Sequence, residues 1–261
     1  MNILITGGNG YISRSLKKGL IPEYKITTLT RNNFDLTDHY NTCKWFENKE
    51  YDVVIHTAAV GGTRLQPDTE EIAQTNVTMY NNLYANKHQF KKLISFGSGA
   101  EIFATNTHYG ISKKTIANSI TDTANFYNLR IFATFDENEL QTRFIKANIL
   151  RYLKKEPMIV HTDKIMDFFY MKDLVSLVDH YITHEAPPNT INCCYSQKYT
   201  LTNITNIINK LDTYTVPVVI ENKSKLDFYC GEYSQLPIET VGMVTGIKNT
   251  FEILRDSINL I

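Results

Sequence analysis

The sequence predicts an α/β fold built on a parallel sheet, and three observations predict it. Short runs rich in Ile, Val, Leu and Phe recur through the first 135 residues, stretches of helical period separate them, and the runs are nearly continuous. Strands buried on both faces read this way, because helices cover both sides of a parallel sheet. VVIHTAA and KLISF are examples.

Taken in order, the candidate strands cover residues 2–6, 25–30, 53–57, 93–96 and 129–133, and helices fall between them at about 11–20, 40–48, 69–86 and 109–125. After Phe135 the texture changes. DENELQ is polar and loop-like, 142–154 reads as an amphipathic helix, and Pro157, Pro187, Pro188, Pro217 and Pro237 punctuate shorter segments. No repeat of fixed period appears.

Composition narrows the function classes. The 261 residues are 43% hydrophobic, enough for a full core, and 27 basic residues balance 27 acidic ones along the chain. No basic face results, so nucleic acid is not an expected partner. Cys43, Cys193, Cys194 and Cys230 lack C-x-x-C spacing and read as reduced thiols, with no metal site expected. The chain opens directly on MNILITGG, and no apolar run approaches the roughly 18 residues of a membrane helix. The expectation is a soluble cytoplasmic protein without a membrane partner.

The first strand leads at once into Gly7-Gly8-Asn9-Gly10-Tyr11-Ile12-Ser13, a glycine-rich turn opening a helix. Gly7 permits the tight turn, and Gly10 lets the backbone approach a pyrophosphate. The N–H groups of Tyr11 and Ile12 then face the anion at the positive end of the helix. Ser13 holds the third glycine position and is small enough for close packing. This pattern makes the expected sheet a Rossmann-type, doubly wound one. Folds that prefer NAD usually end the second strand in an acid that binds the ribose hydroxyls. Here the strand ends Thr28-Leu29-Thr30-Arg31, so Arg31 is available to a 2′-phosphate and NADP(H) is the expected cofactor. Arg14, one turn into the helix, is a surface arginine or a second phosphate ligand.

Tyr109 and Lys113 stand four residues apart, about 6 Å along one helix face. A nearby cation lowers a phenol toward the operating pH, where it protonates a forming alkoxide most effectively. The pair opens the helix after the fourth strand, which ends in Gly97-Ser98-Gly99 at the edge where parallel sheets bind ligands. Ser98 is placed to hydrogen-bond a substrate carbonyl oxygen. Lys113 is also the candidate for holding the nicotinamide ribose.

In this order, ITGGNGYIS, RNNFDLTD, YDVVIHTAAVGG, TNVTMYNNLYA, KLISFGSGAEIF and YGISK resemble the extended short-chain dehydrogenase/reductase family of nucleotide-sugar epimerases and reductases. Within it they are most similar to the GDP-fucose synthase-like branch. The resemblance implies a Rossmann domain over 1–135 plus about 165–191. A small C-terminal α/β substrate lobe would cover about 136–164 and 192–261. It also implies that Asp35 and Leu36 flank the adenine, that Ala58 and Ala59 border the ribose and pyrophosphate, and that Gly61, Gly62 and Thr63 form the mouth of the substrate site. A homodimer through the helices at about 69–86 and 109–125 is expected on the same ground.

Departures from that branch are informative. The branch carries a cysteine two residues past the catalytic serine and a histidine on the early lobe helix, which exchange protons beside the ketone. This chain has Ala100 at the first position and Arg143 near the second. Plain reduction of a nucleotide-linked 4-keto (6-deoxy) sugar, as in deoxysugar biosynthesis, is therefore expected. Glu101 reads either as a ligand of a sugar hydroxyl or as a solvated loop charge. Arg143 and Lys146 read as a diphosphate clamp or as a solvated helix face. The alternatives are a 4-epimerase with tightly bound NAD, which Arg31 argues against, and a non-catalytic dinucleotide sensor, which Tyr109 and Lys113 argue against.

Overall fold

A computed structural model of the chain describes residues 1–20, 22–62 and 67–259, with backbone alone at 223–226 and 259. In chain order the elements are β1 (Asn2–Thr6), α1 (Tyr11–Leu20), β2 (Lys25–Leu29), α2 (His39–Phe46), β3 (Tyr51–His56), α3 (Glu70–Ala85), β4 (Phe90–Ser98), α4 (Ala100–Phe103), α5 (His108–Thr121) and β5 (Phe126–Ile131). They continue with β6 (Thr134–Phe135), α6 (Phe144–Leu153), β7 (Met158–Met166), β8 (Phe169–Tyr170), α7 (Met171–Thr183), β9 (Thr190–Cys193), α8 (Leu201–Ile208), β10 (Val218–Tyr229) and α9 (Met243–Asn259). Two compact units result, Met1–Ile131 with Val175–Asn192 and Phe132–Leu174 with Cys193–Ile261.

The first unit is a six-stranded sheet in the order β2-β1-β3-β4-β5-β9, and the pairs from β2 through β5 are parallel. The chain leaves β1 toward β2 and then returns to the other side of β1 for β3. That reversal opens a crevice at the carboxyl ends of β1 and β3, where doubly wound folds bind ligands. The expected fold class is thus the observed one. Leu4, Val54 and Leu93 face Met79, Tyr80 and Leu83 of α3 and Ile116 and Ile120 of α5 in one cluster. Burying each such side chain contributes roughly 1.5–3 kcal/mol.

Several boundaries differ from the sequence expectation, β4 beginning at Phe90 instead of residue 93 and α5 ending at Thr121 instead of residue 125. β5 begins at Phe126 instead of residue 129, because Asn125 turns the chain in the left-handed region (φ 62°) and strand pairing starts immediately after it. Between β4 and α5, a single helical turn, α4, occupies what the sequence suggests is loop.

The second unit has two short sheets, β10-β7 and β6-β8, both parallel. Its core gathers Phe135, Ile145, Ile149, Tyr152, Ile204, Ile247 and Phe251. Tyr152 and Tyr214 stack at 4.6 Å and each hydroxyl donates to the other residue's carbonyl, at 2.8 and 2.9 Å. α8 starts with a reciprocal cap between Thr200 and Asn203. All four cysteines are free, and among the described residues no helix is long and apolar enough to cross a membrane.

Candidate active site

The turn after β1 has the shape a pyrophosphate needs. Gly7 has φ +69°, and a Cβ there would stand 2.8 Å from the backbone nitrogen and Cα of Ala58. Only glycine lets the turn sit this close to the end of β3. Gly8 N donates to Leu29 O and Gly10 N to Gly7 O, each at 2.8 Å. Thr57 Oγ1 donates to Thr6 O at 2.6 Å, which ties β3 to the same turn. Tyr11 and Ile12 then begin the ten-residue α1, whose first N–H groups have no acceptor inside the helix. Ser13 is fully buried, as the third glycine position requires. The Arg14 guanidinium is turned back onto the Asn9 carbonyl. These residues fit a dinucleotide phosphate.

Arg31 lies exposed just past β2. Nearby Asp35 accepts from Thr37 N and Oγ1, and these bonds, with a smaller contribution from the Arg31 charge, hold its carboxyl below the usual range. Leu36 corrects the expectation that it borders the adenine. Its side chain is buried in the core and its carbonyl accepts from Asn82 Nδ2 at 2.8 Å, so it anchors the segment from inside. Ala58 is partly buried and Ala59 exposed.

Ser98, Tyr109 and Lys113 come together. The Tyr109 phenol lies beside the Ser98 hydroxyl, whose influence favours the phenolate, and Ser98 Oγ accepts from Ala100 N at 3.1 Å. Lys113 Nζ lies 5.7 Å from the Tyr109 ring centre and donates to Phe96 O at 2.7 Å. Thr107 caps α5 by accepting from Gly110 N, which sets the first turn that carries Tyr109. Gly62, at φ +67°, lies under the Tyr109 ring, since a Cβ there would stand 2.7 Å from Tyr109 Cζ. Asp68 holds that turn by accepting from Gly62 N at 2.8 Å. Gly61 shares the turn, whereas Thr63 lies outside the described residues.

The electrostatics differ from the sequence expectation. Burial pushes Tyr109 up to about 12, opposed by the Ser98 hydroxyl and reinforced by Asp68 and Glu101, so the phenol is not drawn toward neutrality by its neighbouring lysine. Burial lowers Lys113 to about 8, opposed by Glu101. His56, hydrogen-bonded to Thr6 Oγ1 at 2.9 Å, is lowered by burial to about 3 and is neutral.

Glu101 is neither a sugar ligand at a surface nor a solvated charge. It is 5% exposed and its oxygens accept from Ser98 N at 2.8 Å, Asn128 Nδ2 at 3.2 Å and Arg130 Nε at 2.7 Å. The sequence reading missed Asn128 and Arg130, although two polar side chains on one face of an otherwise apolar strand signal a buried partner. It also missed Asn76, which pairs with both backbone groups of Val60 and reaches Ser112.

In the second unit, Arg143 is the exposed cap residue of α6. Lys146 is not presented as half of a diphosphate clamp, because its ammonium donates to the carbonyls of Glu137 and Glu139 at 2.7 and 2.8 Å. Glu139 is buried, accepts from Lys146 N at 3.2 Å, and is raised by burial to about 8.

A doubly wound sheet with this cradle and this hydroxyl pair is the framework of an extended short-chain dehydrogenase/reductase. The chain belongs to the NAD dependent epimerase/dehydratase family, whose profile matches residues 3–194. No curated protein matches it. Among solved structures it is similar to the GDP-mannoheptose C4 reductase of Campylobacter jejuni with NADP bound, at 14% identity over 97% of this chain and 98% of that one, TM-score 0.81. The GDP-L-fucose synthetase of Naegleria fowleri bound to NADP shares 19% identity over 99% and 93%, TM-score 0.74. The Bordetella bronchiseptica enzyme WbmG in complex with NAD shares 19% over 97% and 93%, TM-score 0.79. At these identities the likeness is one of fold.

Proposed function

We propose that this protein is an NADPH-dependent reductase of a nucleotide-linked 4-keto sugar, acting without epimerisation at the neighbouring carbons. The observation that carries the reading is the Ser98 and Tyr109 hydroxyls brought side by side with the Lys113 ammonium beside the tyrosine ring. In this reading the first unit holds the dinucleotide and the second supplies the sugar-nucleotide contacts, Arg143 among them. Bound NADPH supplies hydride to the keto carbon. Tyr109, protonated at neutral pH, gives its proton to the carbonyl oxygen, and the phenolate regains one from solvent. Ser98 donates to the same oxygen as charge grows there.

Ala100 supports plain reduction, since a buried methyl group stands where a proton-exchanging thiol would be required. Arg31 supports NADPH, because its exposed guanidinium suits a 2′-phosphate. Two of the similar structures were solved with NADP, and one of these is a GDP-sugar C4 reductase. A homodimer through α3 and α5 belongs to the same reading, and sedimentation equilibrium measures it.

The decisive experiment incubates purified protein with NADPH and a panel of GDP-, UDP- and dTDP-linked 4-keto hexoses and heptoses. Oxidation of NADPH with formation of the 4-hydroxy sugar is expected. No oxidation with any member overturns the reading. Interconversion of C4 epimers by protein carrying tight NAD would replace it with a 4-epimerase.

A further inference from the structure

We propose that Glu101 is a positioning residue of this active site, whose carboxylate fixes the Ser98 turn and serves as the counter-charge that keeps Lys113 an ammonium. The inference rests on the roles assigned above to Ser98, Tyr109 and Lys113.

Its starting point is an inversion on α4. Ile102 and Phe103 are exposed at 48% and 37%, whereas the acid preceding them is buried. Burying a carboxylate costs several kcal/mol unless partners replace its water. Two strands supply them: the Ser98 N–H at the end of β4, and Asn128 and Arg130, two apart on β5 and so on one face. Arg130 is held in turn by Asn192 Oδ1 at 3.0 Å. Room for the carboxylate comes from Gly97, where a Cβ would stand 2.2 Å from Glu101 Oε1. An apolar side chain would fill this place without any of these bonds, so a built ion pair here points to a use for the charge.

That use lies with Lys113. Its ammonium is buried and bonded to a single carbonyl, that of Phe96. The charged or titratable groups that face it are His56 from β3, Tyr109 from its own helix and Glu101 from α4. His56 and Tyr109 are neutral near pH 7, so among the described residues the negative charge acting on Lys113 is that of Glu101. The same carboxylate, with Asp68, favours the protonated phenol. Glu101 thus biases both groups toward the proton-donating state that reduction needs.

The signs fix the test. A negative neighbour raises an ammonium's pKa, so its removal lowers it. The variants are Glu101→Gln and the double variant Glu101→Gln/Arg130→Gln, which removes the ion pair without leaving Arg130 unpaired. Lys113 is titrated by NMR in lysine-labelled, cofactor-free protein, its signal assigned by loss in Lys113→Arg. Glu101→Gln is expected to lower the midpoint by about one pH unit, and the double variant, which also removes the opposing positive charge of Arg130, by less. The alkaline limb of the kcat profile should move down with it.

An unchanged midpoint in a folded variant, even with a lowered Tm, overturns the proposal and leaves Glu101 a structural role. Failure of both variants to fold also overturns it. If the wild type oxidises no NADPH with any keto sugar, the reading of the reaction fails, while the NMR midpoint still decides the role of Glu101.

Discussion

The two units stabilise their backbones by different means. In the first, consecutive parallel strands satisfy one another, side chains such as Asn76 complete the loops beside them, and Ser98 and the glycine turn stand at the strand ends. In the second, the sheets are only two-stranded, and side chains supply further backbone partners. Asn148 pairs with both backbone groups of Ile159, Asn209 does the same for Val216, and Asp173 accepts from Val241 N, Gly242 N and the Tyr195 hydroxyl. Two of the buried carboxylates differ, since Glu101 meets the Arg130 guanidinium and Glu139 accepts from the Lys146 backbone N–H, although Asp167 of the second unit also meets a cation, Lys198, at 2.8 Å. A continuous ladder leaves side chains available for chemistry, while a broken one uses them as structure.

The largest effect tests whether the first unit holds the chemistry. Tyr109→Phe removes the phenolic O–H and keeps the ring on Gly62, so turnover should fall about 10²–10⁴-fold. NADPH affinity, measured by fluorescence titration, should stay within about twofold because no assigned cofactor contact changes. Turnover near that of the wild type would remove Tyr109 as the proton donor.

The same contrast explains what the sequence made legible. β1, α1 and the cradle are read directly, because pattern, glycine and helix start all lie within residues 2–20. Ser98 and Tyr109 are also near in sequence, and the structure brings their side chains together. Glu101 is misread because its partners Asn128 and Arg130 come from another strand, and exposed Ile102 and Phe103 beside it invite the opposite assignment. Leu36 is misread for a simpler reason, an apolar residue in a polar loop that is in fact a core residue. In the second unit β7 and β10 pair across some sixty residues, as Met158 with Val218, which no local pattern reveals.

A smaller effect probes the backbone-held carboxylate. Burial holds Glu139 at about 8 when folded, well above the ordinary carboxylate range, so the folded state binds an extra proton between that range and about pH 8. Stability from this group is therefore full at low pH and is lost as pH rises through the window, at up to about 1.4 kcal/mol per pH unit. Glu139→Gln mimics the protonated form and should show no such loss. Urea unfolding should find the two proteins similar near pH 4 and the variant more stable by a few kcal/mol near pH 8. Parallel pH dependences would show that Glu139 is paired more fully than the Lys146 N–H indicates.

The smallest effect concerns the crevice edge, where specificity depends on one exposed side chain. Arg31→Ala deletes an exposed guanidinium, so unfolding free energy should change by no more than about 0.5 kcal/mol. If Arg31 makes charge-assisted bonds to a 2′-phosphate, its loss should reduce the preference for NADPH over NADH by up to about 2 kcal/mol, roughly thirtyfold. The ratio of kcat/KM for the two cofactors measures this directly. A charged pair at an exposed site is screened by salt, so the wild-type preference should narrow at high ionic strength while the variant's ratio stays flat. An unchanged ratio in Arg31→Ala would move phosphate recognition elsewhere on the crevice, with Arg14 excluded first because its guanidinium is already bonded to the Asn9 carbonyl.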